Sequence, residues 1–127
     1  MSVLVDTSVW IDHFRNGNNA LVDLIARLDL ALTHPMVILE IACGTPPAPR
    51  IQTLNNITLL QPCNQASLSE VMEFIEREKL YGLGYGLVNM TLLASTLITP
   101  GAELWTLDKR LAELAGHFGV AHRPTLH

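Results

Sequence analysis

Three acidic side chains occupy the places where an alternating strand and helix chain most readily builds chemistry. Asp6 directly follows the apolar run Val3-Leu4-Val5, Glu40 lies within Met36-Val37-Ile38-Leu39-Glu40-Ile41-Ala42-Cys43, and Asp108 directly follows Glu103 to Leu107. Ligands of open α/β sheets bind beyond the carboxyl ends of the strands, so acids at those ends are the first candidates for a site. Glu40 is the most telling, being the sole charge in its segment, where an unpaired buried carboxylate costs on the order of several kcal/mol. Carboxylates brought together raise one another's pKa values and strain the fold unless a cation lies among them. Oxygen-only donors, with no Cys or His at ligand spacing, point to Mg²⁺ or Mn²⁺ rather than zinc. Such a site binds phosphate and activates a water for in-line attack. No nucleophile motif for a Ser, His and Asp relay is present. The competing reading gives each acid a separate structural role: Asp6 and Asp108 as helix caps, Glu40 paired with a buried arginine.

The elements that must carry these acids can be read from periodicity and turn chemistry. Residues 3 to 5 predict a short buried strand, after which Thr7 or Ser8 caps a helix to about Arg15, ended by Asn16-Gly17-Asn18-Asn19. Leu21, Leu24, Ile25 and Leu28 recur at the spacing of a helix with one buried stripe. Leu30 to Thr33 predicts a second strand, and Pro35 opens a helix over Met36 to Cys43 that Gly44 ends. The run Thr45-Pro46-Pro47-Ala48-Pro49 excludes regular structure and leads into a weak helix near Arg50 to Asn55, then a strand at Ile57 to Leu60. Leu68, Val71, Met72 and Ile75 mark an amphipathic helix with Glu70, Glu73, Glu76 and Arg77 outward. A glycine-rich joint, Tyr81 to Gly86, precedes a central helix from about Val88 to Ile98 that is apolar on nearly all sides. Glu103 to Leu107 then predicts a strand, Lys109 to Phe118 a helix, and Val120 to His122 a last edge strand. Strands alternating with helices imply an α/β fold, a parallel sheet covered on both faces.

Composition limits what such a fold can do. The 127 residues suit a single domain over 1-127, and 49% apolar with 16% charged residues excludes a disordered chain or a coiled coil. A net charge of −4 supplies no general field toward nucleic acid or an anionic membrane, so a phosphate-bearing substrate must be handled locally. Asp6 interrupts the first apolar run, and Leu87 to Ile98 is too short to span a bilayer. A soluble, cytoplasmic protein with no membrane partner is expected. Cys43 and Cys63 share no ligand spacing and are expected as buried, reduced thiols.

Four segments in order, Val5-Asp6-Thr7-Ser8-Val9-Trp10, Glu40 after its Pro35 helix start, Gly86-Leu87-Val88-Asn89 before Leu92-Leu93-Ala94-Ser95, and Leu104-Trp105-Thr106-Leu107-Asp108-Lys109-Arg110-Leu111, resemble the PIN-domain family. The likeness spans essentially the whole chain and is greatest to the VapC toxins of bacterial type II toxin–antitoxin pairs. It implies a twisted parallel sheet of four to five short strands and a Mg²⁺-dependent endoribonuclease acting on an RNA substrate. It further implies a homodimer and inhibition by a cognate antitoxin whose tail enters the acidic groove. Matched by position, Asp6, Glu40 and Asp108 hold the metal and place the attacking water, while Ser8 and Thr106 support those acids by hydrogen bonding. Asn89 stands where the family has a further acid.

An asparagine there keeps a carbonyl oxygen for a hard cation or a water but loses a negative charge and cannot accept a proton. A loss comparable to that of one oxyanion-hole donor would be roughly 10² to 10³ in rate. An introduced change that disarms the enzyme, altered metal use, and a catalytically silent relative all accommodate it, as does an amide satisfied by neighbouring backbone. The alternative from another class is a non-catalytic PIN-like module that binds RNA or protein. A Mg²⁺-dependent phosphatase or DNA nuclease of similar topology fits the motifs less well. Gly82-Leu83-Gly84-Tyr85-Gly86 reads as a hinge, since a phosphate loop would follow a strand. His13, His34, His117, His122 and His127 show no ligand pattern, and Trp10 with Phe14 reads as packing. Arg15, Lys109 and Arg110 are candidates for RNA phosphates or ordinary surface charge.

Overall fold

The computed structural model describes residues 1–124, so His127 lies outside the described residues. Val3, Leu4 and Val5 are wholly buried, which is what a strand flanked on both sides and covered on both faces requires. They form β1 (Ser2–Val5), whose parallel neighbours are β2 (Ala31–Thr33) and β4 (Ala102–Trp105); β3 (Gln61–Pro62) extends the sheet beyond β2. The four-stranded order is β3-β2-β1-β4. The chain therefore builds outward from β1 in one direction and then returns to its other side, and the reversal lies between β1 and β4. Open α/β sheets bind their ligands at such a switch point, beyond the carboxyl ends of the strands.

The helices are α1 (Thr7–Asn16), α2 (Asn19–Ala26), α3 (Pro35–Cys43), α4 (Arg50–Thr58), α5 (Leu68–Glu78), α6 (Leu87–Leu97) and α7 (Lys109–His117). α1 packs on α3 and α3 on α4, whereas α5 packs on α6, and α6 and α7 lie against β4. Met90 to Thr96 are all buried, as expected of a central helix that is apolar on nearly all sides. Ser67 and Glu70 form a reciprocal capping box that starts α5 and holds the Glu70 carboxyl below its ordinary range through hydrogen bonds from Ser67. Arg50 ties off the other end of α3, donating to the carbonyls of Ala42 at 2.5 Å and Gly44 at 3.2 Å across the proline segment.

Several expectations are corrected. Residues 57 to 60 are not a strand: the helix from Arg50 runs to Thr58, whose hydroxyl donates back to the Leu54 carbonyl, and the strand begins at Gln61. Only Ile57 of that segment is buried, so its β-branched composition had no sheet to join. Val120 to His122 contributes an isolated bridge, Leu104 to Ala121, rather than a strand. α2 ends at Ala26, which leaves Leu28 exposed. The cap position of α1 falls on Asp6, not on Thr7 or Ser8. Cys63 is buried, which pushes its thiol up to about 11, but Cys43 is exposed.

His34, buried between β2 and α3, caps α3. Its Nδ1 accepts the Met36 N–H at 3.0 Å, which leaves the ring proton on Nε2, 3.1 Å from Ser95 Oγ on α6. The same Oγ accepts the Ala66 N–H at 3.0 Å. A protonated ring would set a donor against the Met36 N–H, and burial lowers the His34 pKa from its ordinary 6.5. The unfolded chain thus takes up this proton at higher pH than the folded one, so the stability is complete above pH 6.5 and declines as pH falls through the window beneath it. Melting temperatures measured from about pH 7.5 down to about pH 5 should fall on acidification. His34→Asn, which keeps a capping oxygen but cannot titrate, should flatten that decline.

Candidate active site

The register that pairs Val5 with Trp105 places the next residues, Asp6 and Thr106, side by side at the switch point, and the Asp6 N–H donates to the Trp105 carbonyl at 2.9 Å. Asp6 occupies the cap position of α1 with extended backbone, yet its side chain makes no capping bond. Its Oδ2 instead accepts from the Ser8 hydroxyl at 2.6 Å and the Thr106 hydroxyl at 2.8 Å. Both hydroxyls also accept from the turn after β4: Ser8 Oγ takes the Leu107 N–H at 3.0 Å, and Thr106 Oγ1 takes the Asp108 N–H at 3.1 Å. With their protons committed to Asp6, the 3.3 Å approach between the two hydroxyls is a contact and not a further bond. A carboxylate only 6% exposed is thereby held by two charge-assisted bonds, with Oδ1 lacking a partner among the described residues.

The other acids reach this centre through one link each. Asp108 is exposed and caps α7, its Oδ1 accepting from Arg110 N at 3.0 Å and Leu111 N at 3.2 Å. The capping role expected of it as an alternative is therefore real, and it leaves Oδ2 uncommitted among the described residues. Glu40 is corrected: it is exposed on α3, so no buried charge has to be compensated, and no arginine pairs with it among the described residues. Packing of α1 on α3 brings the Thr7 hydroxyl to Glu40 Oε1 at 2.6 Å. Thr7 is the residue that sequence reasoning missed in this role; its signal was a second hydroxyl between Asp6 and Ser8. Asn89 lies half-buried in the first turn of α6, and its amide has no hydrogen bond among the described residues.

Among the described residues no three acidic, histidine or cysteine side chains stand close enough together to hold a metal ion between them. The three acids offer hard oxygen donors, but as placed they do not close on a single ion. Mg²⁺ keeps several waters and uses one or two carboxylates together with substrate phosphate, and each acid keeps one oxygen without a hydrogen bond among the described residues. Two cavities lie nearby, one bordered by Glu40 and the other by Thr106 and Leu107. One, of about 470 Å³, is floored by Ile11, Phe14 and Ile41 and bordered by Glu40 and Arg15. The other, of about 440 Å³, runs from Thr106 and Leu107 past Trp105 to His122 and Arg123. No transmembrane-length apolar helix occurs among the described residues.

No protein-family model matches the chain. Ribonuclease VapC32 of Mycobacterium tuberculosis, from strains CDC 1551 / Oshkosh and ATCC 25618 / H37Rv, is 40% identical over 119 residues, 94% of this chain and 94% of the relative. The chain belongs to the VapC ribonuclease family. The solved structure of VapBC-1 from nontypeable Haemophilus influenzae shares its fold, with a TM-score of 0.68 over 92% of this chain and 94% of that one at 12% identity. The PIN-like α/β architecture expected from the four motifs is therefore the fold of this VapC-family chain.

The two hydroxyls on Asp6 carry a measurable part of the stability. Thr106→Val keeps shape but strips one donor from a buried carboxylate, which should cost about 1.5–3 kcal/mol in urea unfolding. Ser8→Ala, at a half-buried position, should cost less.

Proposed function

We propose that this VapC-family chain hydrolyses RNA phosphodiester bonds with Mg²⁺ or Mn²⁺ held, directly or through bound waters, by Asp6, Glu40 and Asp108, as the toxin of a type II toxin–antitoxin pair in the cytoplasm. The observation that carries the reading is the Asp6 carboxylate, fixed at the switch point by Ser8 and Thr106 through Oδ2, with Oδ1 lacking a partner among the described residues. A bound cation would neutralise the scissile phosphate and lower the pKa of a water beside it. Asp6 acts as the immovable member, because its hydroxyl partners are themselves anchored to backbone. Glu40, exposed and with Oε1 occupied by the Thr7 proton, offers Oε2 to accept a proton from the attacking water. Asp108, exposed at the cap of α7, would contribute its Oδ2, which has no hydrogen bond among the described residues. Asn89 offers a carbonyl oxygen that can orient water or substrate but takes up no proton, which weakens or abolishes turnover.

The reading includes an antitoxin partner and a homodimer. The apolar cavity beside Glu40, with Phe14 and Ile11 in its wall, suits an inhibiting antitoxin segment. Exposed apolar residues on α3 and α5, among them Leu39, Leu68 and Met72, suit a second copy. Asn89 itself favours the second reading, a PIN-like module that binds RNA or protein without cutting.

Cleavage of a labelled RNA pool with Mg²⁺, with Mn²⁺ and with chelator separates the two. Metal-dependent cleavage should rise by about 10² to 10³ in Asn89→Asp and vanish when Asp6→Ala is added. Binding of RNA or antitoxin with no cleavage by the chain or by Asn89→Asp would establish the binding module instead.

A further inference from the structure

Arg110, read from sequence as a candidate phosphate contact, is already engaged. Its guanidinium donates to the Leu83 carbonyl and lies 4.7 Å from the centre of the Tyr85 ring. Gly84 between them has φ +87°, and a Cβ there would come within 3.1 Å of Arg110 Nη1, so this stretch of backbone is moulded to the arginine. The loop so clasped leads directly into α6. That helix starts at Gly86 with no side-chain cap and no acid in its first turn, the turn that carries Asn89. Tyr81, Gly82, Leu83, Gly84 and Gly86 are exposed, so besides Arg110 the approach to that turn is held by the partial packing of Tyr85 and Val88 on the core. At its other end, the Arg110 N–H binds Asp108 Oδ1 at 3.0 Å. One residue thus orients Asp108 through its backbone and the start of α6 through its side chain.

We propose that Arg110 is a positioning residue, which fixes the first turn of α6, and with it Asn89, against Asp108 across the crevice. The proposal rests on reading those two residues as opposite walls of one ribonuclease site. A fork that both stacks on an aromatic ring and hydrogen-bonds a carbonyl is a property of arginine and not of lysine. Its role is therefore geometric, and preserving the charge alone does not preserve it.

The test uses the full chain and compares Arg110→Met, Arg110→Lys and Tyr85→Leu. Arg77→Met serves as control, since it removes an arginine lying over Phe74 on α5. Two readouts need no activity: amide hydrogen exchange of residues 87 to 90, and the side-chain amide resonances of Asn89. In all three test variants exchange should quicken by about 10-fold or more, while β1 and β4 are unchanged, and the Asn89 resonances should shift. Cleavage, followed in the given chain and in the Asn89→Asp background, should lose about 10- to 100-fold in kcat with KM nearly constant. The control should match the parent throughout. Three results would overturn the proposal: unaltered exchange and resonances in Arg110→Met, full rescue by Arg110→Lys, or a rise in KM with kcat intact, which marks a phosphate contact. If neither background cleaves while exchange and resonances respond as stated, the clasp stands and the ribonuclease reading fails.

Discussion

The site depends on one carboxylate being held in place at the carboxyl end of the central strand β1. Asp6 leaves water almost completely, and the structure offsets that desolvation with two hydroxyl donors, each of which accepts a backbone N–H from the turn after β4. Such a network couples separate parts of the chain. The strand that supplies Asp6, the helix that supplies Ser8 and the turn that supplies Thr106 and Asp108 cannot move independently while those bonds persist. Parallel pairing of β1 with β4 makes the arrangement possible, because it brings residues a hundred positions apart in sequence into neighbouring places.

Around this rigid centre the other groups are attached more loosely. Glu40 is exposed and its hydrogen bond among the described residues is to the Thr7 hydroxyl, and Asp108 is exposed with one carboxylate oxygen engaged in capping α7. Asn89 has no bond to either wall among the described residues, so its placement follows from the backbone that precedes it. Such a gradient from fixed to adaptable suits phosphoryl chemistry, in which positioning and electrostatic stabilisation supply most of the effect. Secured carboxylates define where charge is placed, and freer ones adjust to substrate.

The strands that bear the site were legible because their signals are local and unambiguous. Val3-Leu4-Val5 ended by Asp6 and Leu104-Trp105 leading through Thr106 to Asp108 each combine an apolar run with a nearby acid; the first proved to be the central strand β1 and the second its neighbour β4. Elsewhere the signal depended on context. Ile57 to Leu60 has strand composition, but helix hydrogen bonding already under way from Arg50 carried through it, and Pro62 was then tolerated because β3 is an edge strand. The surroundings of Glu40 looked like core, yet Leu39 and Cys43 are exposed with it: apolar composition fixes which residues can be buried, not which are. Thr7, His34 and Arg110 could not be assigned from sequence, since their partners lie 33, 61 and 27 residues away.

The account turns on whether the switch-point carboxylate of Asp6 organises a cation site. Calorimetric titration of the full chain with Mn²⁺ alone tests that most directly. One saturable binding event is predicted, abolished by Asp6→Asn and tightened by Asn89→Asp. Manganese binding of equal strength in the chain and in Asp6→Asn, or none in the chain and none in Asn89→Asp, would contradict it.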